Sequence, residues 1–136
     1  MAFRIGDKES IFPGVEYYFY PKHRINSEYS VWSINLESEY ELAKSSVPNP
    51  LTTDKYSWNI KKENNKVVVI GCFEGRDEYI GRFDMNRSAN EMHGYPIDYI
   101  GRCNDKPDNG TLKLLEDNGI ITRQEKKAIA KGRKLR

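Results

Sequence analysis

YSWNIKKENNKVVVIGCFEGRDEYIGRFD, residues 56–84, is where the residue pattern first declares a sheet. Tyr56, Trp58 and Ile60 alternate with polar residues, which predicts a strand with one apolar face. Glu63, Asn64 and Asn65 supply a turn, and KVVVIGCF at 66–73 returns the chain, so a β-hairpin is expected. Both faces of the returning run are apolar: Val67 and Val69 on one, Val68 and Ile70 on the other. That is the composition of a strand covered on both sides. Glu74-Gly75-Arg76-Asp77 predicts a second tight turn, after which EYIGRFD at 78–84 runs back. The stretch predicts a three-stranded antiparallel meander.

Upstream, VEYYFY (15–20) is β-branched and aromatic, and Pro21 ends it. SVWSINL (30–36) alternates, placing Trp32, Ile34 and Leu36 on one strand face. ESEYELAKSS (37–46) predicts a short helix, with Leu36, Tyr40 and Ala43 at helical spacing. Two prolines and many small polar residues make 45–54 a loop. Downstream, MNRSANEMHGYP (85–96) predicts a long loop with a helical turn, since Ser88 and Glu91 have capping-box spacing. YPIDYIGR (95–102) predicts a short edge strand, because Pro96 cannot donate to a ladder. Leu112 and Leu115 then lie at helical spacing, Gly119 suits the position after a helix, and Thr122 with Glu125 forms a capping box opening a second helix. The expected fold is α+β: an antiparallel five- to six-stranded sheet over 1–107, with a helical hairpin and basic tail at 108–136 packed on the same domain.

Tyr-Ile-Gly-Arg occurs at 79–82 and again at 99–102, each copy preceded by an acid. One reading has Arg82 and Arg102 projecting together from neighbouring strands to hold an anion such as phosphate, with Tyr79 and Tyr99 stacking on bases. The other is packing: isoleucine in a pocket, tyrosine at a rim, glycine for close approach, arginine at an edge. His93 lies between the copies. A histidine to move a proton and arginines to stabilise a phosphorane are sufficient for metal-free RNA cleavage, which makes His93, Arg82 and Arg102 a candidate catalytic set. The element order resembles that of small ribonuclease toxins on a helix-plus-antiparallel-sheet scaffold. That resemblance implies the same chemistry at fold level only.

Other chemistries find no footing. No His-x-x-His, Cys-x-x-Cys or acidic cluster has ligand spacing, so no metal is expected. No glycine-rich phosphate loop or nucleophile elbow is present, and no cofactor is assigned. Cys72 and Cys103 are too few for a disulfide scaffold and read as reduced thiols. The longest aliphatic run is VVVI at 67–70, too short to span a bilayer, and MAFRIGDKES lacks the apolar stretch of a secretory signal. A cytoplasmic protein without membrane association is expected.

Charge is unevenly placed. Residues 123–136 hold seven basic side chains (Arg123, Lys126, Lys127, Lys131, Arg133, Lys134 and Arg136) and one Glu, while the chain's net charge is only +2. Such a tail favours phosphate backbones through counterion release; it also complements the dipole of the last helix. LKLLEDNGIITRQEKKAIAKGRKL (112–135) resembles a SHOCT-type C-terminal helical hairpin through Leu112, Leu115, Asp117, Gly119, Ile120, Ile121, Thr122 and Glu125. The resemblance implies an interaction or oligomerisation element. Lys126 stands where that pattern favours an aromatic residue. The segment is also similar, less fully, to the recognition helix of phage-repressor helix-turn-helix domains.

Three functions are therefore expected in competition. The first is a small cytoplasmic nucleic-acid-binding protein, RNA favoured, using the basic tail and the Arg/Tyr strand ends. The second is an adaptor or inhibitor that takes a protein partner, or a second copy of itself, through 108–136. The third is a metal-free ribonuclease.

Overall fold

The computed structural model describes residues 3–26, 28–53, 55–102 and 105–135, so Cys103 and Arg136 lie outside the described residues. The chain runs β1 (Lys8–Phe12), β2 (Val15–Tyr18), α1 (Lys22–Ile25), β3 (Val31–Trp32), α2 (Leu36–Lys44), β4 (Tyr56–Ile60), β5 (Lys62–Glu63), β6 (Lys66–Val67), β7 (Gly71–Phe73), β8 (Arg76–Glu78), β9 (Ile80–Asn86), β10 (Glu91–Ile97), α3 (Asn109–Asp117) and α4 (Arg123–Ala130). The fold is α+β, as expected. Its main sheet has five strands in the order β1-β2-β10-β9-β4; a three-stranded sheet, β3-β7-β8, and the small β5-β6 hairpin flank it. The main sheet is mixed, because β2 and β10 pair in parallel while the other three pairings are antiparallel.

The expected meander over 56–84 does not form. β4 pairs with β9, not with the returning valine run. KVVVIGCF is apolar on both faces because it passes between two cores. Val67 and Val69 belong to one apolar cluster and Ile70 to the other. At Gly71 the chain presses against Pro96 and the Val31 carbonyl, where an added Cβ would lie 2.4 and 2.8 Å from Pro96 Cγ and Val31 O. EYIGRFD serves two sheets: Arg76–Glu78 pairs with β7, and after Tyr79 the same run joins the main sheet as β9. The strand expected over 30–36 is likewise cut short, with Leu36 opening α2 behind the cap of Asn35.

Residues 85–96 are not a long loop. β9 and β10 form a hairpin in register from Asn86↔Glu91 to Ile80↔Ile97, turned at 87–90, with Asn90 at φ 51°. The alternation in β10 is hard to read because its inner face is built from Met92, Gly94 and Pro96. Gly94 leaves room for a core ring: an added Cβ would lie 2.1 Å from Phe83 Cδ1. The second Tyr-Ile-Gly-Arg is not a strand either. Asp98 Oδ1 accepts from the Gly101 N–H at 2.9 Å and the Arg102 N–H donates to the Asp98 carbonyl, which folds 98–102 into a turn.

Each face of the main sheet carries one core. α2 covers the first, where Leu42 and Ala43 meet Tyr17, Phe19, Phe83 and Met92. The buried polar residues there are satisfied from α2 and the residues that follow it: Asn59 donates to the Leu42 carbonyl at 3.0 Å, and Ser46 donates to Ser57 at 2.8 Å. α3 and α4 pack together over the second face, burying Leu112, Leu115, Ile121 and Ile129 against Ile60, Ile80 and Ile97. α3 is capped by Asp108, and α4 by the Thr122–Glu125 box that the sequence predicts. Among the described residues no helix is long and apolar enough to cross a membrane.

Candidate functional site

Strand register decides what lies beyond the edge of the helical hairpin. Ile60, Ile80 and Ile97 form one row across β4, β9 and β10, and this row is buried beneath α3 and α4. Two residues along, the next row is Trp58, Arg82 and Tyr95; two further, it is Tyr56, Asp84 and His93. The period of two keeps all nine on one face. The same face is thus apolar under the helices and polar where the helices stop.

The Arg82 guanidinium lies 4.1 Å from the centre of the Tyr56 ring and 4.7 Å from that of Tyr95. On Tyr95 the His23 imidazole stacks at 4.9 Å with an interplanar angle of 19°. A ladder of alternating rings and cation therefore crosses the sheet, Tyr56–Arg82–Tyr95–His23. The Arg82 Nε is buried and makes no hydrogen bond among the described residues.

α1 and the segment after it form the opposing wall, carrying Lys22, His23, Tyr29 and Ser30. Together with Tyr20 and the floor residues Arg82, Asp84, His93 and Tyr95 they enclose a cleft of about 450 Å³, with Arg102 and Asp105 at the rim. Arg24 anchors this wall: it donates twice to Glu39 Oε1, at 2.6 and 3.2 Å, and also to the Ile34 carbonyl. Tyr17 donates to the other Glu39 oxygen at 2.5 Å, completing a buried triad.

Both histidines of the chain line the cleft, and Tyr20 packs against both, 5.8 Å from His23 and 5.5 Å from His93. Burial lowers His23 below the usual imidazole range, with the charges of Lys22 and His93 adding to the effect and the hydrogen bond to Ser30 opposing it. Its Nδ1 lies 3.0 Å from the Ser30 carbonyl; neutral His23 donates there and leaves Nε2 as an acceptor. His93 Nε2 lies 3.8 Å from Asp84 Oδ2. Burial raises the Asp84 carboxyl above its usual range, against the pull of His93 and Arg82. Beneath the wall, Ser30 donates to Glu78 at 2.6 Å, and burial pushes the Glu78 carboxyl up to about 7.

Of the residues singled out in the sequence, Arg82, Arg102 and His93 come together in this cleft. His93 reaches it from a strand and not from a loop. Arg102 stands at the rim with its guanidinium 4.3 Å from the Phe73 ring centre. The expected stacking roles of Tyr79 and Tyr99 are overturned by burial: they are 1% and 2% exposed, within the core under α3 and α4. Tyr99 donates to the Arg133 carbonyl at 2.6 Å, fastening the tail to the turn after β10. Arg123, Lys127, Lys131, Arg133 and Lys134 are exposed, while Lys126 is half-buried and pairs with Glu116 at 2.6 Å.

The rings open to the cleft are Tyr20 and Tyr29, at 36% and 39% exposure, with Tyr95 half-buried between the strands and α1. Sequence reasoning missed these and gave His23 no role, because the wall is joined to the floor only by tertiary packing. A signal did exist in Tyr-x-Trp, Arg-x-Asp and His-x-Tyr, three alternating half-patterns with polar residues on a common face. Among the described residues no group of three or more His, Cys, Asp or Glu side chains is placed to hold a metal ion. No family model, curated protein or solved structure matches the chain.

Proposed function

We propose that the protein binds single-stranded RNA, with a backbone phosphate held in the cleft by Arg82, Arg102 and Lys22 and a base stacked on the exposed tyrosine rings. The observation that carries this reading is the meeting of Arg82, Arg102 and His93 with Tyr20, Tyr29 and Tyr95 in one cleft. Cations neutralise the phosphate, and aromatic rings accept any base face, the combination that single-strand binders use. Asp84 and Asp105 are acceptors that a ribose 2′-hydroxyl can use and a deoxyribose cannot, which favours RNA over DNA. The exposed basic residues of α4 and the tail add a salt-sensitive attraction for the rest of the strand. The test is affinity for ribo- and deoxyribo-oligonucleotides of one sequence at low and moderate salt. The same affinity for both sugars, or no binding at low salt, contradicts the reading.

A second reading, metal-free phosphodiester cleavage, is favoured by one further observation: the chain's two histidines are both in the cleft. In this scheme Nε2 of neutral His23 takes the proton of a 2′-hydroxyl, and O2′ attacks phosphorus. Protonated His93 delivers its proton to the departing O5′ as the P–O5′ bond breaks, leaving a 2′,3′-cyclic phosphate and a free 5′-hydroxyl. Arg82 and Arg102 stabilise the phosphorane charge. Cleavage that persists in chelator, yields the cyclic product and disappears in both His23→Ala and His93→Ala supports it. Intact RNA after prolonged incubation with protein that binds it removes it.

A further inference from the structure

Beside the cleft lies a second groove of about 550 Å³, between β4, the residues around Pro48 and the start of α3. Its lining is mixed: Tyr56, Trp58 and Leu114 are apolar or aromatic, and Lys55 and Lys106 are cationic. Arg82 and Asp105 line both hollows, so the two are adjacent and share these side chains as their partition.

From this shared partition we infer that the second groove is the subsite for the neighbouring nucleotide of the same RNA strand, so that the smallest full ligand is a dinucleotide. The inference rests on the reading of the first cleft as an RNA site. Arg82 presents an aromatic ring to each side, Tyr95 toward the cleft and Tyr56 toward the groove. A cation between two ring-lined hollows matches the alternation of a nucleic-acid strand, in which each phosphate lies between two bases. Arg82 is half-buried at the partition, and its guanidinium is the charged donor that a phosphate there would meet.

Tyr56 is 40% exposed and keeps a free ring area for stacking. Leu114, half-buried on α3, faces the same groove from the other wall. Lys55 and Lys106 are exposed at its edge, placing positive charge where the strand continues. Asp108 lies beside Lys55 and Lys106 donates to the Ala130 carbonyl at 3.0 Å, and each ammonium keeps further donors for a ligand acceptor. A nucleotide brings a ring for Tyr56 and an anion for the lysines.

The experiment is equilibrium binding of oligoribonucleotides one, two and four residues long, with ligand integrity checked after each titration. The expected result is at least a tenfold gain from one residue to two, and a smaller step from two to four. Two variants are confined to the second groove: Leu114→Trp, which fills it, and Lys55→Glu, which reverses its charge. Both are expected to leave mononucleotide affinity within twofold of the parent and to abolish most of the gain on adding the second residue. Equal affinity for one and two residues, or a gain that survives both variants, overturns the second subsite and leaves the first standing. Absence of binding at every length removes both readings together.

Discussion

The guanidinium of Arg82 lies 4.7 Å from the ring of Tyr95, its direct partner across the β9–β10 ladder. Cross-strand register thus builds the cation into the sheet, and Tyr56 holds it from the β4 side at 4.1 Å. The guanidinium is planar and stacks on both rings, a geometry that the compact lysine ammonium does not reproduce. Arg82→Lys is therefore expected to lower RNA affinity almost as much as Arg82→Ala, by about tenfold, the scale of one charge-assisted contact at roughly 1.5 kcal/mol. Fluorescence anisotropy on both variants checks this; a lysine variant with parental affinity would show that charge alone suffices.

Glu78 links the cleft wall to pH. Its Oε2 accepts from Ser30, its Oε1 is buried without a partner among the described residues, and burial holds the carboxyl near 7 instead of 4.5. A raised carboxyl favours the protonated form in the folded state, so the folded protein binds more protons than the unfolded chain between these values. The associated stabilisation is full below pH 4.5 and is lost as pH rises to about 7. The loss is on the order of 3 kcal/mol at most. Urea unfolding of the parent and Glu78→Gln between pH 5 and about 8 is expected to show a decline in the parent that the variant lacks. Parallel profiles would sink the assignment.

Arg24 and Glu39 form a nearly buried ion pair, with side-chain exposures of 10% and 2%. Removing one partner strands the other in the core, so Arg24→Met is expected to cost about 3 kcal/mol. Glu39→Gln added to Arg24→Met removes the unpaired charge and is expected to recover part of that loss. A double-mutant cycle from urea unfolding measures the coupling; strictly additive losses would show that the pair is not energetically linked. Because Arg24 anchors the wall bearing Lys22 and His23, Arg24→Met is also expected to weaken RNA binding at temperatures where the protein remains folded.

Gly94 is required by close approach and not by backbone angle. A methyl group there would lie 2.1 Å from Phe83 Cδ1, and the Phe83 ring is 1% exposed. Gly94→Ala is expected to destabilise by about 1–3 kcal/mol, the usual cost of overpacking a core. Thermal melts test it, and Phe83→Leu in the same chain should relieve part of the strain. An alanine variant with the parent's melting temperature contradicts the packing account.

How much of this was legible in the sequence differs from element to element. The α+β class, both C-terminal helices and their caps could be read directly, because Leu112/Leu115 spacing and the Thr122–Glu125 box are local signals. The pairing of β4 could not, since Trp58 is equally apolar against the valine run and against β9. The two Tyr-Ile-Gly-Arg copies look alike and fold differently. Ile80 enters the ladder of β9, whereas Asp98 captures the Gly101 amide and turns the second copy back. Gly81 and Gly101 make room for different neighbours, Trp32 and Arg76. Arg82, Arg102 and His93 were visible as residue types. His23 needed the tertiary fold, because α1 is placed at the cleft by long-range contacts such as the Arg24–Glu39 anchor and the stacking of His23 on Tyr95.

If the cleft cations hold an RNA phosphate, RNA affinity falls as salt is added. With one phosphate held by Arg82, Arg102 and Lys22, the logarithm of affinity should fall with that of salt at a slope of about −0.7 for a dinucleotide. In Arg82→Ala/Arg102→Ala the slope should shrink toward zero, with the melting temperature little changed. A dinucleotide affinity indifferent to salt, or a slope identical in parent and double variant, would contradict the account.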